Sequence, residues 1–148
     1  MSKSTRGLFF VLIFLLMGCS PKKQSVNYIA PQCLSSQSQC HVYIEQTRFD
    51  VLFNVARVTT EQTFNIVVKA KSLEDKFLIN GFLEGKEMYM GKIPLFFEKD
   101  GQGNFVASTM LGSCAEKKMI WRMWLTISEQ DNPDKAQQVF IDFTSYRA

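Results

Sequence analysis

Four sulfur-bearing side chains, those of Met88, Met90, Cys114 and Met119, lie within one stretch of the chain. Met88 and Met90 are two residues apart between two Gly-Lys pairs, so on an extended strand they share one face. Thioether and thiolate sulfur are soft ligands that select Cu(I), whereas harder ions prefer imidazole or oxygen. The pattern therefore predicts a Cu(I) site with Cys114, Met88 and Met90 as ligands and Met119 as a secondary candidate.

The strands around these residues must bring the sulfur atoms together. Residues 100–103, Asp-Gly-Gln-Gly, predict a hairpin turn, and a turn centred there places the methionine pair opposite residues 113–115. A second turn then returns Met119 to the same end, so we expect the four side chains to meet at one rim. A bulge at Gly91 would bury the methionine pair instead, since methionine often fills gaps in cores.

The pattern from Cys40 onward indicates an all-β domain that spans residues 40–148. Apolar residues alternate with polar ones in repeated short segments, and no long stretch has helical periodicity. About seven strands separated by turn residues predict an antiparallel immunoglobulin-like β-sandwich. Trp121 begins an alternating segment that we expect in the core, and Pro94 argues for an edge strand or a bulge. A further turn is predicted at residues 131–134.

A family resemblance covers residues 76–127. Met88, Met90, the Gly-Asn-Phe-Val-Ala segment at 103–107 and Trp121 resemble the small domains of the YtkA/FixH-like group, and Gly112 matches as well. The resemblance implies an immunoglobulin-like sandwich linked to respiratory copper handling. This chain differs from that group in having no histidine near the methionines and in placing Cys114 at a turn.

The N-terminal residues 1–18 read as a secretory signal. Lys3 and Arg6 precede an apolar run over residues 8–17, which is shorter than the ~20 residues of a membrane-spanning helix. The segment Leu-Met-Gly-Cys that ends at Cys19 resembles the lipobox of bacterial lipoproteins. This resemblance implies a lipid-modified Cys19, with palmitate among its acyl chains, as the mature N-terminus. Ser20 in the next position implies an outer-membrane location, facing the periplasm.

Residues 19–39 are expected to form the lipidated N-terminus and a flexible tether, because they are rich in Ser, Gln, Lys and Pro. Cys33, Cys40 and Cys114 remain in an oxidising compartment, where three thiols allow one disulfide and one free thiol. The short, polar Cys33–Cys40 segment favours that pair, and the two pairings that use Cys114 stay open.

Composition excludes several functions. Removal of Lys3 and Arg6 lowers the formal net charge from +3 to +1 (3 − 2), and no basic run provides a footprint for nucleic acid. His41 is the only histidine, and no nucleophile elbow or phosphate-binding glycine loop occurs, so we expect no enzyme activity.

A second functional hypothesis starts from Trp124 and Arg122, which lie on the strand face opposite Trp121. An outward Trp beside an Arg has the composition of a protein-binding anchor. The chain could then be a non-catalytic accessory lipoprotein that binds an envelope protein partner without any metal. Trp124 could equally be covered by the arm at residues 28–31. A carrier of lipid or another small ligand, the third hypothesis, would need an internal cavity.

Overall fold

The computed structural model describes residues 29–71 and 76–148. Over this part of the chain the regular elements are ten β-strands, and no helix there is long and apolar enough to cross a membrane. The signal segment, Cys19 and most of the predicted tether lie outside the described residues. The strands are β1 (His41–Ile44), β2 (Thr47–Phe53), β3 (Val58–Thr59), β4 (Phe64–Ala70), β5 (Phe77–Gly85), β6 (Lys92–Phe96), β7 (Glu98–Lys99), β8 (Phe105–Thr109), β9 (Lys118–Glu129) and β10 (Asn132–Tyr146).

The strands form two five-stranded sheets that pack as a sandwich. The first sheet has the order β1-β2-β4-β8-β7, and the second has the order β3-β10-β9-β5-β6. The strand pairs are antiparallel, except that β3 runs parallel to β10. The predicted all-β class and antiparallel sandwich are confirmed.

Alternation along the strands decides which side chains fill the space between the sheets. On β9 the inward residues are the predicted ones, Met119, Trp121, Met123, Leu125 and Ile127. Trp121 is only 1% exposed, and its indole N–H donates a hydrogen bond of 3.0 Å to the hydroxyl of the buried Ser145. The largest core side chain therefore has its polar group satisfied, as buried tryptophan requires.

The predicted strand count is lower than the observed one because some strands are too short to show a period. β3 and β7 have two residues each, and β1 has four. The turn predicted at residues 131–134 lies slightly earlier, since Asn132 already pairs with Glu129 across a turn at Gln130 and Asp131. The register then shifts between Asn132 and Gln137, which is where a proline can be accommodated.

The segment 92–99 contributes to both sheets. Its first part, β6, pairs with β5 in the second sheet, whereas β7 pairs with β8 in the first sheet. The chain crosses between the sheets at Phe97, whose half-buried side chain packs against the core. The hairpin turn predicted at residues 100–103 is confirmed, because it joins β7 to β8. Its predicted continuation, which brings Met88 and Met90 opposite residues 113–115, is wrong. Alternation shows which face of a strand is buried but not which sheet the strand joins. Pro94 does lie on an edge strand, as predicted.

A disulfide loop joins the two sheets on the side of the sandwich opposite the crossing at Phe97. Cys33 and Cys40 are bonded to each other, with their Cα atoms 5.5 Å apart. The hydroxyls of Ser36 and Ser38 accept hydrogen bonds of 3.3 and 2.9 Å from backbone N–H groups of β10. The amide of Gln37 donates one of 2.9 Å to a carbonyl of β2. The serine- and glutamine-rich loop thereby covers part of the free edge of β10.

Just before this loop, the chain runs antiparallel alongside the end of β2. Gln32 and Phe53 exchange two backbone hydrogen bonds of 2.8 Å in an antiparallel bridge, and Leu34 is 3% exposed in the core. Residues 32–39, which the sequence assigns to the tether, pack on the sandwich in the structure. The folded body therefore begins before Cys40.

Candidate functional site

Two loops that carry sulfur lie at the same end of the sandwich. β5 ends at Gly85, which lies opposite Trp121 near the start of β9. The loop 86–91, which follows β5, is therefore at the same end as the loop 110–117, which precedes β9. We call these two loops and the start of β9 the sulfur rim. Its sulfur-bearing residues are Met88, Met90, Met110, Cys114 and Met119.

Cys114 and Met119 are in contact within the sulfur rim. The Sγ atom of Cys114 lies 3.8 Å from the Sδ atom of Met119, and the geometry is that of a thiol donating to a thioether. Among the described cysteines Cys114 is the one with a free thiol, and it is half-buried. Met119 is 6% exposed and belongs to the core. The contact therefore joins an accessible thiol to a thioether that the core holds in place.

Gly85 lets the loop 86–91 fold back onto Met119. A Cβ atom built at Gly85 would overlap the carbonyl oxygen of Met88 and the Cε atom of Met119. The loop is also tied to β9, because the backbone N–H of Lys86 donates a hydrogen bond of 2.9 Å to the carbonyl of Ile120. The backbone at Met88 therefore lies against the same part of β9 that holds the Met119 thioether.

Met88 and Met90 do not share a strand face, because residues 86–91 form a loop. Met88 is 45% exposed, whereas Met90 is half-buried and packs against the core. Gly91 has a φ of 76°, a left-handed conformation that favours glycine, and it turns the chain into β6. Both methionines lie at the rim, but through a turn rather than through the predicted pairing with residues 113–115.

Met110 is a fifth sulfur-bearing residue of the rim that the sequence analysis missed. It is 52% exposed and directly follows β8, four positions before Cys114. The sequence contained a signal for this position, because Met110 directly follows an alternating strand and so begins the loop that carries Cys114.

The described residues offer no alternative metal site of the common kind. They contain no group of three or more His, Cys, Asp or Glu side chains that could hold a metal ion. His41 lies on β1, outside the rim, and its ring packs edge-on against Tyr43 with the ring centroids 5.5 Å apart. The sulfur atoms at the rim are soft ligands, a class that suits Cu(I) better than harder ions.

Arg122 and Trp124 lie on the outer face of the second sheet. The strand register places Pro94, Phe82, Trp124 and Phe140 side by side across four strands, and we call this set the aromatic row. Phe82 stacks on Trp124 with ring centroids 6.4 Å apart, and Phe140 lies on the other side of the indole at 5.4 Å. Neighbouring rings therefore flank the indole on both sides, whereas Tyr28 of the predicted covering arm lies outside the described residues.

Charged side chains run beside the aromatic row. The indole N–H of Trp124 donates to Glu84 at 2.7 Å, and the guanidinium of Arg122 lies 4.1 Å from the ring centroid of Phe140. Arg122 also donates two hydrogen bonds to Asp142, of 2.8 and 3.0 Å. These bonds, with a further one from Lys86, hold the pKa of Asp142 below its ordinary value, and the bond to Asp142 raises the pKa of Arg122. Hydrogen bonds and ring contacts thus hold both predicted anchor residues against neighbouring side chains.

Comparisons with known proteins identify no family for this chain. No protein-family model matches the chain, and a search of curated proteins finds no match. A crystal structure of FetP from uropathogenic E. coli strain F11, expressed recombinantly in the periplasm of E. coli, matches with a TM-score of 0.47 and 7% identity. The match covers 70% of this chain and 91% of that one.

Proposed function

We propose that this chain is a lipid-anchored, non-catalytic β-sandwich of the bacterial cell envelope that binds Cu(I) at the sulfur rim. In this role it would hold copper or assist its delivery during respiratory oxidase assembly. The lipobox-like segment ending at Cys19 supports the anchoring. The Cys33–Cys40 disulfide supports an oxidising compartment, since such bonds persist mainly outside the cytosol.

The copper proposal depends on the contact between Cys114 and Met119. Two sulfur ligands that each lie about 2.3 Å from one ion at a tetrahedral angle are about 3.8 Å apart. The Sγ–Sδ distance of 3.8 Å has this value, so the pair could hold an ion with little movement. Met88 and Met110 are exposed at the same end and Met90 is half-buried there, so further thioethers are available to complete the coordination.

Competition for Cu(I) tests this proposal directly. The mature chain, reduced and kept anaerobic, should remove about one equivalent of Cu(I) from a chromophoric chelator. Loss of an outer-shell partner already lowers metal affinity by about 10–100-fold, so removal of a ligand should cost at least as much. Cys114→Ser and Met119→Leu should each weaken binding by this amount, and Met88→Ala combined with Met90→Ala should weaken it as well.

Met123→Leu is the matched control, because Met123 lies on the same strand as Met119 but is 0% exposed in the core. It should bind Cu(I) like the unsubstituted chain. Failure of the chain to compete with the chelator, or undiminished binding by Cys114→Ser, would refute the site.

Lipid anchoring has its own test. Globomycin, which blocks cleavage of lipoprotein signals, should cause the uncleaved form of this chain to accumulate in cells, and Cys19→Ala should do the same. Normal processing under globomycin would remove the lipid anchor from the proposal while leaving the copper site open.

A second candidate function, a protein-interaction module without metal, is favoured by the aromatic row. Phe140 is 44% exposed at the end of this row, beside the guanidinium of Arg122. A photo-crosslinking amino acid at Phe140 should then trap an envelope protein in cells, whereas the same group at Tyr43, exposed on the other sheet, should not. Equal products from both positions would argue against a specific surface.

A further inference from the structure

We propose that the sulfur rim faces the membrane, with its basic side chains against an anionic bilayer surface. This orientation depends on the lipid anchoring proposed above but not on copper. It follows from where the chain leaves the sandwich, how far Cys19 is from that point, and which charges surround it.

The N-terminal segment leaves the sandwich at the end that carries the sulfur rim. Gln32 bridges antiparallel to Phe53, so residues 29–31 extend past the end of β2. β2 pairs antiparallel with β4, and β4 with β8, so β2 and β8 end on the same side. The loop 110–117 follows β8 there. The link toward Cys19 and the loop with Cys114 therefore share one end of the body.

The distance from Cys19 to Ile29 limits how the body can be oriented. Ten residue steps span at most about 36 Å when fully extended. β9, which runs from the rim to the opposite end, spans eleven residue steps and at about 3.3 Å each is about 36 Å long. A body whose rim pointed away from the bilayer would need the link to be fully extended along the whole sandwich. Full extension carries the largest loss of conformational entropy, so the acylated Cys19 favours a rim on the membrane side.

The charges at the rim end suit an anionic surface. Among the described residues of the loops and adjoining strand ends on this side, six exposed side chains are basic and three are acidic. The basic ones are Arg57, Lys86, Lys92, Lys117, Lys118 and Arg147, and the acidic ones are Glu61, Glu87 and Glu116. The described loops and adjoining strand ends on the opposite side carry four basic residues, Lys71, Lys76, Lys99 and Lys135, against five acidic ones, Glu45, Asp100, Glu129, Asp131 and Asp134. Basic residues near a bilayer are attracted to anionic lipids, so the asymmetry adds to the effect of the link.

The rim also presents an apolar side chain suited to the interface. Tyr89 is 86% exposed at the tip of the loop 86–91, next to the exposed Met88. Tyrosine is enriched at membrane–water interfaces, where its ring lies at the level of the headgroups. Tyr89 therefore marks the part of the rim that should lie nearest to the lipid.

Quenching by brominated lipid tests the orientation in the full lipidated chain. Tyr89→Trp reports on the rim, and Tyr43→Trp is the matched control, because Tyr43 is 57% exposed beside the β1–β2 turn at the opposite end. Each variant is reconstituted in vesicles of phosphatidylcholine and phosphatidylglycerol, with and without bromine on the acyl chains. The emission added by Tyr89→Trp should be lost in brominated vesicles, and that added by Tyr43→Trp should persist.

Replacing both Lys117 and Lys118 with Glu, or using phosphatidylcholine alone, should reduce the loss at Tyr89→Trp. Equal quenching of the two reporters, or stronger quenching at Tyr43→Trp, would overturn the orientation. Failure of the chain to float with vesicles would instead contradict lipid anchoring. Neither result depends on Cu(I), so neither one argues for or against the copper site.

Discussion

Replacement of Gly85 by alanine should loosen the sulfur rim by a predictable amount. The new methyl group would overlap the backbone oxygen of Met88 and the Cε atom of Met119. The thioether can rotate away, but the carbonyl belongs to a loop that is hydrogen-bonded to β9 at Ile120. Overpacking of this kind costs about 1–3 kcal/mol. At about 3–5 °C for each kcal/mol in a domain of this size, we expect Tm to fall by about 3–15 °C.

Gly112→Ala separates this packing effect from the general effect of replacing glycine. An alanine stabilises a protein by about 0.4–1 kcal/mol through the unfolded chain when its native backbone accepts the side chain. A Cβ atom at Gly112 meets nothing within 4 Å, so this variant should be as stable as the unsubstituted chain or slightly more so. The difference between the two alanine variants then measures the overlap at Gly85.

Urea and thermal unfolding of the two variants are the assays, with circular dichroism as the signal. Cu(I) competition on the same samples adds a second readout, because displacement of Met119 should weaken binding in Gly85→Ala alone. If Gly85→Ala were as stable as Gly112→Ala, the loop would not lie against Met119 as described. The packing of the sulfur rim would then have to be abandoned.

Three further changes test the fold, all by urea unfolding. Replacing Cys33 and Cys40 with serine should lower the free energy of unfolding by about 2.5 kcal/mol, because the unfolded chain is then no longer closed into a loop. An unchanged urea midpoint would show that the disulfide does not stabilise the fold. Asp142→Asn should cost about 1–2 kcal/mol at neutral pH, because the carboxylate accepts charged hydrogen bonds at a partly exposed site. Since the pKa of Asp142 is lowered in the fold, that difference should hold above about pH 4 and vanish as the pH falls through the lowered pKa; a constant difference down to acid pH would refute it. Ser145→Ala should cost about 1–3 kcal/mol by leaving the buried indole N–H of Trp121 without its acceptor, whereas an effect near zero would show that the bond is dispensable.

Long alternating segments made most of the fold predictable. β9 alternates over its full length, so its inward residues, including Trp121, could be identified from the sequence. The path of the segment 92–99 could not be identified, because the same alternation fits a strand in either sheet and the crossing at Phe97 has no separate signal. The packing of residues 32–39 could not be predicted either. A polar segment has the composition of a tether, and the sequence does not show that this one covers the edge of β10.

The candidate site was predictable only in part. Five positions separate Cys114 from Met119 across a short loop, so their proximity follows from a single turn. The position of Met88 at the same end follows from a different pairing than the one predicted, since β6 pairs with β5 and not with β8. The partners of Trp124 depend on the register of β5 against β9, which places Phe82 beside the indole and brings Glu84 within reach of its N–H. Alternation alone contains no information on that register.

The disulfide loop makes one edge of the sandwich dependent on an oxidant. The bridge between Gln32 and Phe53 and the buried Leu34 position the start of the loop, and the bond between Cys33 and Cys40 fixes its two ends near each other. Without that bond, residues 36–38 would be held to β10 by hydrogen bonds, and their release would leave an open strand edge that another chain could pair with. The oxidation that closes the loop therefore also guards the molecule against edge-to-edge association with a second copy.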